Sequence, residues 1–182
     1  MKALAAAAAL LALSAALAAA QPQSALDTAR ADSDLGRTAA AIEAAGLGPA
    51  LADPGTDALL FAPVDAAWDQ AATDLGTTVD ALLADTAKLT EILLLHASPE
   101  PLTTEQMTDG QVLPTLAPGQ TVTVSKAGDT VRIIPPAGEA FAATIVPGGS
   151  NVATSNGILQ KIDRVRGRGG AEAARALPNF EL

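Results

Sequence analysis

Leu59-Leu60-Phe61-Ala62-Pro63-Val64-Asp65-Ala66-Ala67-Trp68 is the stretch on which the reading of this chain turns. Its first four residues, all apolar, suit a buried strand, and Pro63 has no amide N–H to donate, so any sheet ladder ends there. Asp65 then falls in the first turn of a predicted helix, where a carboxylate meets unpaired amide donors and the positive end of the helix dipole. Trp68 follows about one turn later. The stretch therefore predicts a strand that turns abruptly into a helix carrying a large apolar anchor. Phe61 and Trp68 bracket that turn within one apolar pattern and are expected in the core rather than on a ligand shelf.

Upstream, Met1-Lys2 precedes an apolar segment, Ala3 to Ala20, made almost wholly of Ala and Leu. One positive charge, an apolar core and the small-residue ending Ala18-Ala19-Ala20 predict a secretory signal peptide, residues 1–20, cleaved after Ala20. A retained membrane anchor is the competing reading, against which stands the small contribution of Ala to insertion. No Cys follows the apolar core, which excludes lipid attachment through a lipobox cysteine. The expected product begins at Gln21, is periplasmic or secreted, and makes no stable membrane insertion after cleavage.

What remains has the length of one domain with a sizeable core. The whole chain is 49% hydrophobic and has no Cys, so nothing is stapled by disulfides. Without Lys2, ten basic residues face twenty acidic ones, a net charge near −10. That balance favours solubility and argues against nucleic acid or an anionic membrane as partner. Tyr is absent and aromatic residues are 2% of the chain, which leaves little for base-stacking platforms or sugar-binding shelves.

Asp32, Ser33 and Asp34 offer caps, Leu35, Ala39 and Ile42 recur at helical spacing, and Gly46 reads as a stop, which predicts a helix from about Asp34 to Ala45. Asp32-Ser33-Asp34 superficially looks like the start of a calcium loop, but the third carboxylate is Leu and no bidentate Glu falls at the right distance; capping is the preferred reading. A short helical turn near Ala50 and the turn Asp53-Pro54-Gly55 lead into the opening strand. Beyond Trp68, Thr78 caps a helix with Val79, Leu82 and Leu83 on one face, and Asp85 or Thr86 caps another with Leu89, Ile92 and Leu93. Leu93 to Leu95 then pass through His96 into a short strand closed by Pro99, and Thr103 to Met107 predict a short helix.

From Gln111 the period changes to strands. Thr121 to Val124 and Thr130 to Ile134 alternate around Lys126-Ala127-Gly128-Asp129, which predicts a hairpin with one apolar face. Ala143 to Thr154 is extended and interrupted by Pro147-Gly148-Gly149. Asn156-Gly157 marks a tight turn tolerant of positive φ, opening the stretch Ile158-Leu159-Gln160-Lys161-Ile162-Asp163-Arg164-Val165.

Three of these stretches resemble signatures of the fasciclin-like (FAS1) family: a strand with Phe61-Ala62-Pro63 and Asp65, an apolar helix end with His96 and Pro99, and Asn156-Gly157 leading to Ile162-Asp163 and a basic residue. Their order and spacing from Leu59 to Val165 carry the resemblance. Departures are Val64 where Ser or Thr is usual, so a side-chain cap is expected to be missing, Leu95 in place of Tyr, and Glu100 in place of Gly. Gln160 and Lys161 stand where His and an apolar residue are usual, so that face of the strand is expected to be more exposed. The resemblance implies an α+β fold, a wedge-shaped β-sandwich of short strands with helices packed on one side. Helices first and strands second already favour α+β over a repeating βαβ plan. The domain is expected over residues 21–166, in a single copy of the bacterial exported type, with 167–182 as a C-terminal tail.

There is no Cys nucleophile, no Gly-x-Ser-x-Gly elbow, no phosphate-cradling Gly-Lys-Ser or Gly-Lys-Thr, and no second His to share a metal. Catalytic, cofactor-binding and metal sites are therefore all expected to be none. Arg164, Arg166 and Arg168 alternate and would form a basic ridge on a continuing strand, but intramolecular pairing or solvation is the preferred reading. His96, the sole histidine, lacks a motif-borne nucleophile in Ser98 or Glu91, and its Leu-rich neighbours predict a core histidine with one ring nitrogen donating to a buried oxygen. The family resemblance implies a non-enzymatic adhesion or protein-interaction module whose partner is an extracellular or envelope protein or polysaccharide. Some relatives bind carotenoids, so a carrier of an apolar small molecule is the alternative. An enzyme ranks third.

Overall fold

The computed structural model of the chain describes residues 23–166, Pro54 and Thr56 excepted. Its central strand is β1, Ala58–Pro63, in which all six residues are buried. The run is continuously apolar because both of its faces are covered. Leu60 and Ala62 pack with the helices, while Leu59 and Phe61 point to a second sheet, as the two-residue period of a strand requires.

Among the described residues six α-helices form one layer: α1 (Ala25–Ala31), α2 (Gly36–Ala44), α3 (Gly48–Ala52), α4 (Asp65–Asp74), α5 (Val79–Ala84) and α6 (Thr86–Leu95). The first sheet is built from β1, β2 (Ala97–Ser98), β7 (Val152–Thr154) and β8 (Gly157–Ile162), in the order β2-β1-β8-β7. The second contains β3 (Val112–Pro114), β4 (Thr121–Ala127), β5 (Thr130–Ile134) and β6 (Ala143–Thr144), in that order. In the first sheet β8 pairs parallel to β1 over all six residues, from Ala58 opposite Gly157 to Pro63 opposite Ile162. Every other named pairing is antiparallel. The result is an α+β fold of open sheets with helices on one side, and it has two cores. One lies between helices and first sheet around Trp68, Leu89 and Leu159; the other lies between the sheets around Phe61, Leu113, Val124 and Ile133.

Several boundaries follow the sequence signals. β1 ends at Pro63, Thr78 Oγ1 accepts from the Ala81 amide, and Asp85 Oδ1 accepts from the Lys88 amide. Val64 precedes α4 with no side-chain cap, as the missing hydroxyl implies. The β4–β5 hairpin closes through Gly128-Asp129, with Gly128 at φ 61.

Elsewhere the structure corrects the expectation. α1 has no counterpart in the sequence reading; Ser24 Oγ accepts from the Asp27 amide to start it. α2 begins at Gly36, not Asp34, and no residue of its own caps it. Asp65 does so from α4: its Oδ1 accepts from the Arg37 amide at 2.9 Å, while its own amide donates to Asp34 O. Phe61 and Trp68 are both buried, but in different cores on opposite sides of the sheet, so they do not share one apolar pattern. Residues 103–107 make a single turn and not a helix, with the Met107 amide donating to Thr103 O. The β7–β8 turn residues are Ser155 and Asn156, one position earlier than expected, since Thr154 is already opposite Gly157.

The expected exposure of Gln160 and Lys161 is also overturned. Gln160 is fully buried because it faces the second sheet between Ile158 and Ile162, and the Lys161 side chain is 14% exposed. The alternate-arginine ridge does not form: β8 ends at Ile162, Arg164 Nη1 donates to Ala140 O, and Arg166 is fully buried. Arg168, the signal segment 1–20 and the tail 167–182 lie outside the described residues.

Candidate functional site

His96 occupies the junction between α6 and β2, and none of it is exposed. Its backbone amide caps the helix by donating to Ile92 O and Leu93 O, and its carbonyl accepts from the Phe61 amide of β1. Nδ1 lies 2.7 Å from Ile92 O, and Nε2 lies 2.9 Å from the amide of Arg166. A carbonyl can only accept and an amide can only donate, so the ring is the neutral tautomer with the proton on Nδ1. Burial, joined by the Arg166 guanidinium and opposed by the Ile92 carbonyl that favours the proton, pushes the imidazole pKa down to about 3.

Both ring nitrogens are thus engaged with backbone, which leaves neither to take a proton from Ser98. Ser98 is itself buried, and its Oγ accepts from the Glu100 amide at 3.3 Å. His96 instead ties three segments that are distant in sequence, α6, β1 and the segment that follows β8. Replacing it with Ala should destabilise the domain by roughly 1 to 3 kcal/mol, since the buried Arg166 amide loses its acceptor. The wild-type histidine also predicts a pH dependence. Its folded pKa is depressed below the unfolded value, so its contribution is full above about pH 6.5 and is lost as pH falls toward 3. Stability should drop by roughly 2 kcal/mol from pH 7 to pH 5. Urea unfolding at the two pH values checks this; a drop of the same size in His96→Ala would assign the effect to other groups.

A second polar centre lies on the inter-sheet side. The Asn151 amide donates to Gln160 Oε1, Gln160 Nε2 donates to Asn151 Oδ1, and Asn151 Oδ1 also accepts from the Thr104 amide, each at 2.8 Å. Asn151 Nδ2 reaches Thr104 Oγ1 and the Glu105 carboxylate. Asn151 sits at φ 57, a conformation that Asn tolerates. This closed network pins the turn at 103–107 over the sheet. Sequence reading missed it; the alternation of Gln160 with Ile158 and Ile162 signals only that Gln160 faces inward.

The Asp32–Asp34 pair holds a lysine. Lys161 Nζ lies 2.5 Å from Asp32 Oδ2 and 3.4 Å from Asp34 Oδ2. Burial alone pushes the Asp32 carboxyl up, but Lys161 and the Asp34 amide outweigh it, so the group sits below the ordinary carboxylate value. No cluster of three potential metal-ligating side chains occurs among the described residues. A groove of about 370 Å³ is lined by Leu26, Arg30, Glu43, Gly46, Gly48 and Pro49, with the Arg30–Glu43 ion pair in its wall. No helix among the described residues is long and apolar enough to cross a membrane.

This geometry has known counterparts. The fasciclin domain profile matches residues 33–165. Among solved structures, a FAS1 domain pair from the insect cell adhesion molecule fasciclin I superposes with a TM-score of 0.68 at 18% identity. The match covers 80% of this chain and 51% of that one, so this chain spans about half the length of the structure it matches. No curated protein matches the chain in sequence. With five of the helices, both sheets and the β1–β8 pairing inside the matched residues, the chain belongs to the fasciclin domain family.

Proposed function

We propose that this protein is a non-enzymatic adhesion or protein-interaction module, exported to the periplasm or the cell exterior, whose partner is an envelope or extracellular protein or polysaccharide. The observation that carries the reading is the match of the fasciclin domain profile over residues 33–165, a family whose members generally serve adhesion and interaction. The engagement of both His96 nitrogens supports it, because the most reactive side chain in the sequence is committed to holding the fold. The Ala18-Ala19-Ala20 ending supports export.

Two experiments test this proposal. N-terminal sequencing should find Gln21 first, in the periplasmic or secreted fraction, whereas an intact Met1 on a membrane-bound protein would overturn the export half. Cross-linking in the native envelope should capture a protein or polysaccharide partner. A purified protein that is coloured by a bound apolar molecule, with no partner captured, would favour a carrier instead.

A further inference from the structure

Arg166 is fully buried, and its Nε, Nη1 and Nη2 have no hydrogen-bond partner among the described residues. Its guanidinium carbon stands over the Phe61 ring, 4.4 Å from the centroid, against an aromatic side chain of the inter-sheet core. The backbone is fixed by the bond from its amide to His96 Nε2, and the neighbouring imidazole is neutral, so neither supplies a counter-charge. An arginine remains charged in proteins, and burying an ion without a partner is strongly unfavourable. A desolvated contact with an aromatic face offsets only part of that. Every other buried polar side chain among the described residues has its partners, Gln160 and Asn156 included. Among the described residues Arg166 alone is left with its buried side-chain donors unmatched.

The form of the missing partner follows from the donors. The N–H groups of a guanidinium lie in one plane, and a planar group with two oxygens fits their fork with two parallel bonds. One negative charge neutralises the cation, whereas a doubly charged phosphate would leave a buried negative charge over. We propose that Arg166 anchors a buried binding site for a small monocarboxylate, with Phe61 as its floor. The site is independent of whichever macromolecule the domain adheres to.

The test is thermal melting of the purified protein at pH 7 in sodium acetate, sodium hexanoate or sodium chloride at one ionic strength. A carboxylate that binds folded protein alone should raise the melting temperature above that in chloride by about 5 °C near saturation. A larger shift in hexanoate than in acetate identifies an acid with an apolar tail; equal shifts identify the carboxylate alone as the ligand. R166M should melt higher than the wild type in chloride, having lost an unpaired buried charge, and should not respond to carboxylate. Equal shifts in chloride and carboxylate, or a carboxylate shift retained in R166M, would overturn the proposal. Should R166M fail to fold, the Arg166 Nε–H resonance of the wild type should move on acetate or hexanoate titration, and a resonance that stays put overturns it equally. Glu172 and Glu181 provide the last arm. If the wild type is unresponsive while E172Q or E181Q gains a carboxylate response, the counter-charge comes from the chain itself and the proposal fails.

Discussion

Replacing Gly157 with Ala is expected to destabilise the domain by roughly 3 to 6 kcal/mol, combining backbone strain with overpacking. Gly157 opens β8 at φ 127, a region essentially closed to residues with a Cβ. A Cβ built there would stand 1.9 Å from Ala58 O, 2.7 Å from Ala58 N and 2.8 Å from Ala58 C. Those atoms are backbone of β1 and cannot swing aside as a side chain could. The clash falls on the first pair of the parallel ladder that separates the two cores, so relief requires β1 and β8 to part where both cores depend on them. The urea midpoint measures the loss. A midpoint within error of the wild type would mean that this close approach does not exist.

Trp68→Ala should cost roughly 3 to 5 kcal/mol, the range for removing a large buried aromatic residue. Trp68 is fully buried against the helix-side face of β1, and its Nε1–H donates to Thr38 Oγ1 at 2.9 Å. Thr38 in turn donates to Pro63 O, the last carbonyl of β1. The indole therefore does two things: it fills the space between α2, α4 and the sheet, and it completes a buried relay that satisfies the strand end. Trp68→Phe separates them. It keeps most of the ring and loses the bond, so its cost should fall to about 1 to 2 kcal/mol. Far-ultraviolet circular dichroism is the suitable probe, because Trp68 is the only tryptophan and each variant removes the fluorescence signal. Equal stability of wild type and Trp68→Ala would place the side chain at the surface.

Local signals carried much of the fold. Pro63, Thr78 and Asp85 act through their own backbone or the next turn, and such effects are visible in a short window. The burial of Phe61, Trp68 and His96 was legible for the same reason, each lying in a dense apolar run. What stayed hidden depends on contacts between remote segments. Nothing near Gly36 shows that Asp65 will cap its helix, and no periodicity shows that Gln160 will meet Asn151 under the turn at 103–107. Arg166 was the hardest case. Alternate arginines at a strand end read as paired within the chain or solvated, and only the early stop of β8 shows one of them buried over Phe61.

The place of β8 in the first sheet has a consequence for the order in which the chain can fold. β1 is made early, but its parallel partner is the last strand among the described residues, with most of those residues between Ala58 and Gly157. Pairing at that separation carries a large loop-closure cost and places the domain among slower, topology-limited folders. At ordinary translation speeds, about 5 to 20 s pass between synthesis of Ala58 and of Gly157. Throughout that interval β1 has only the two-residue strand β2 as a possible neighbour in its sheet, and its other edge stands open. An apolar strand with an unpaired edge is a template for association with other chains. Chains that stop short of Gly157 should therefore aggregate rather than fold to a smaller native form, and the nascent domain depends on being shielded until its final strand arrives.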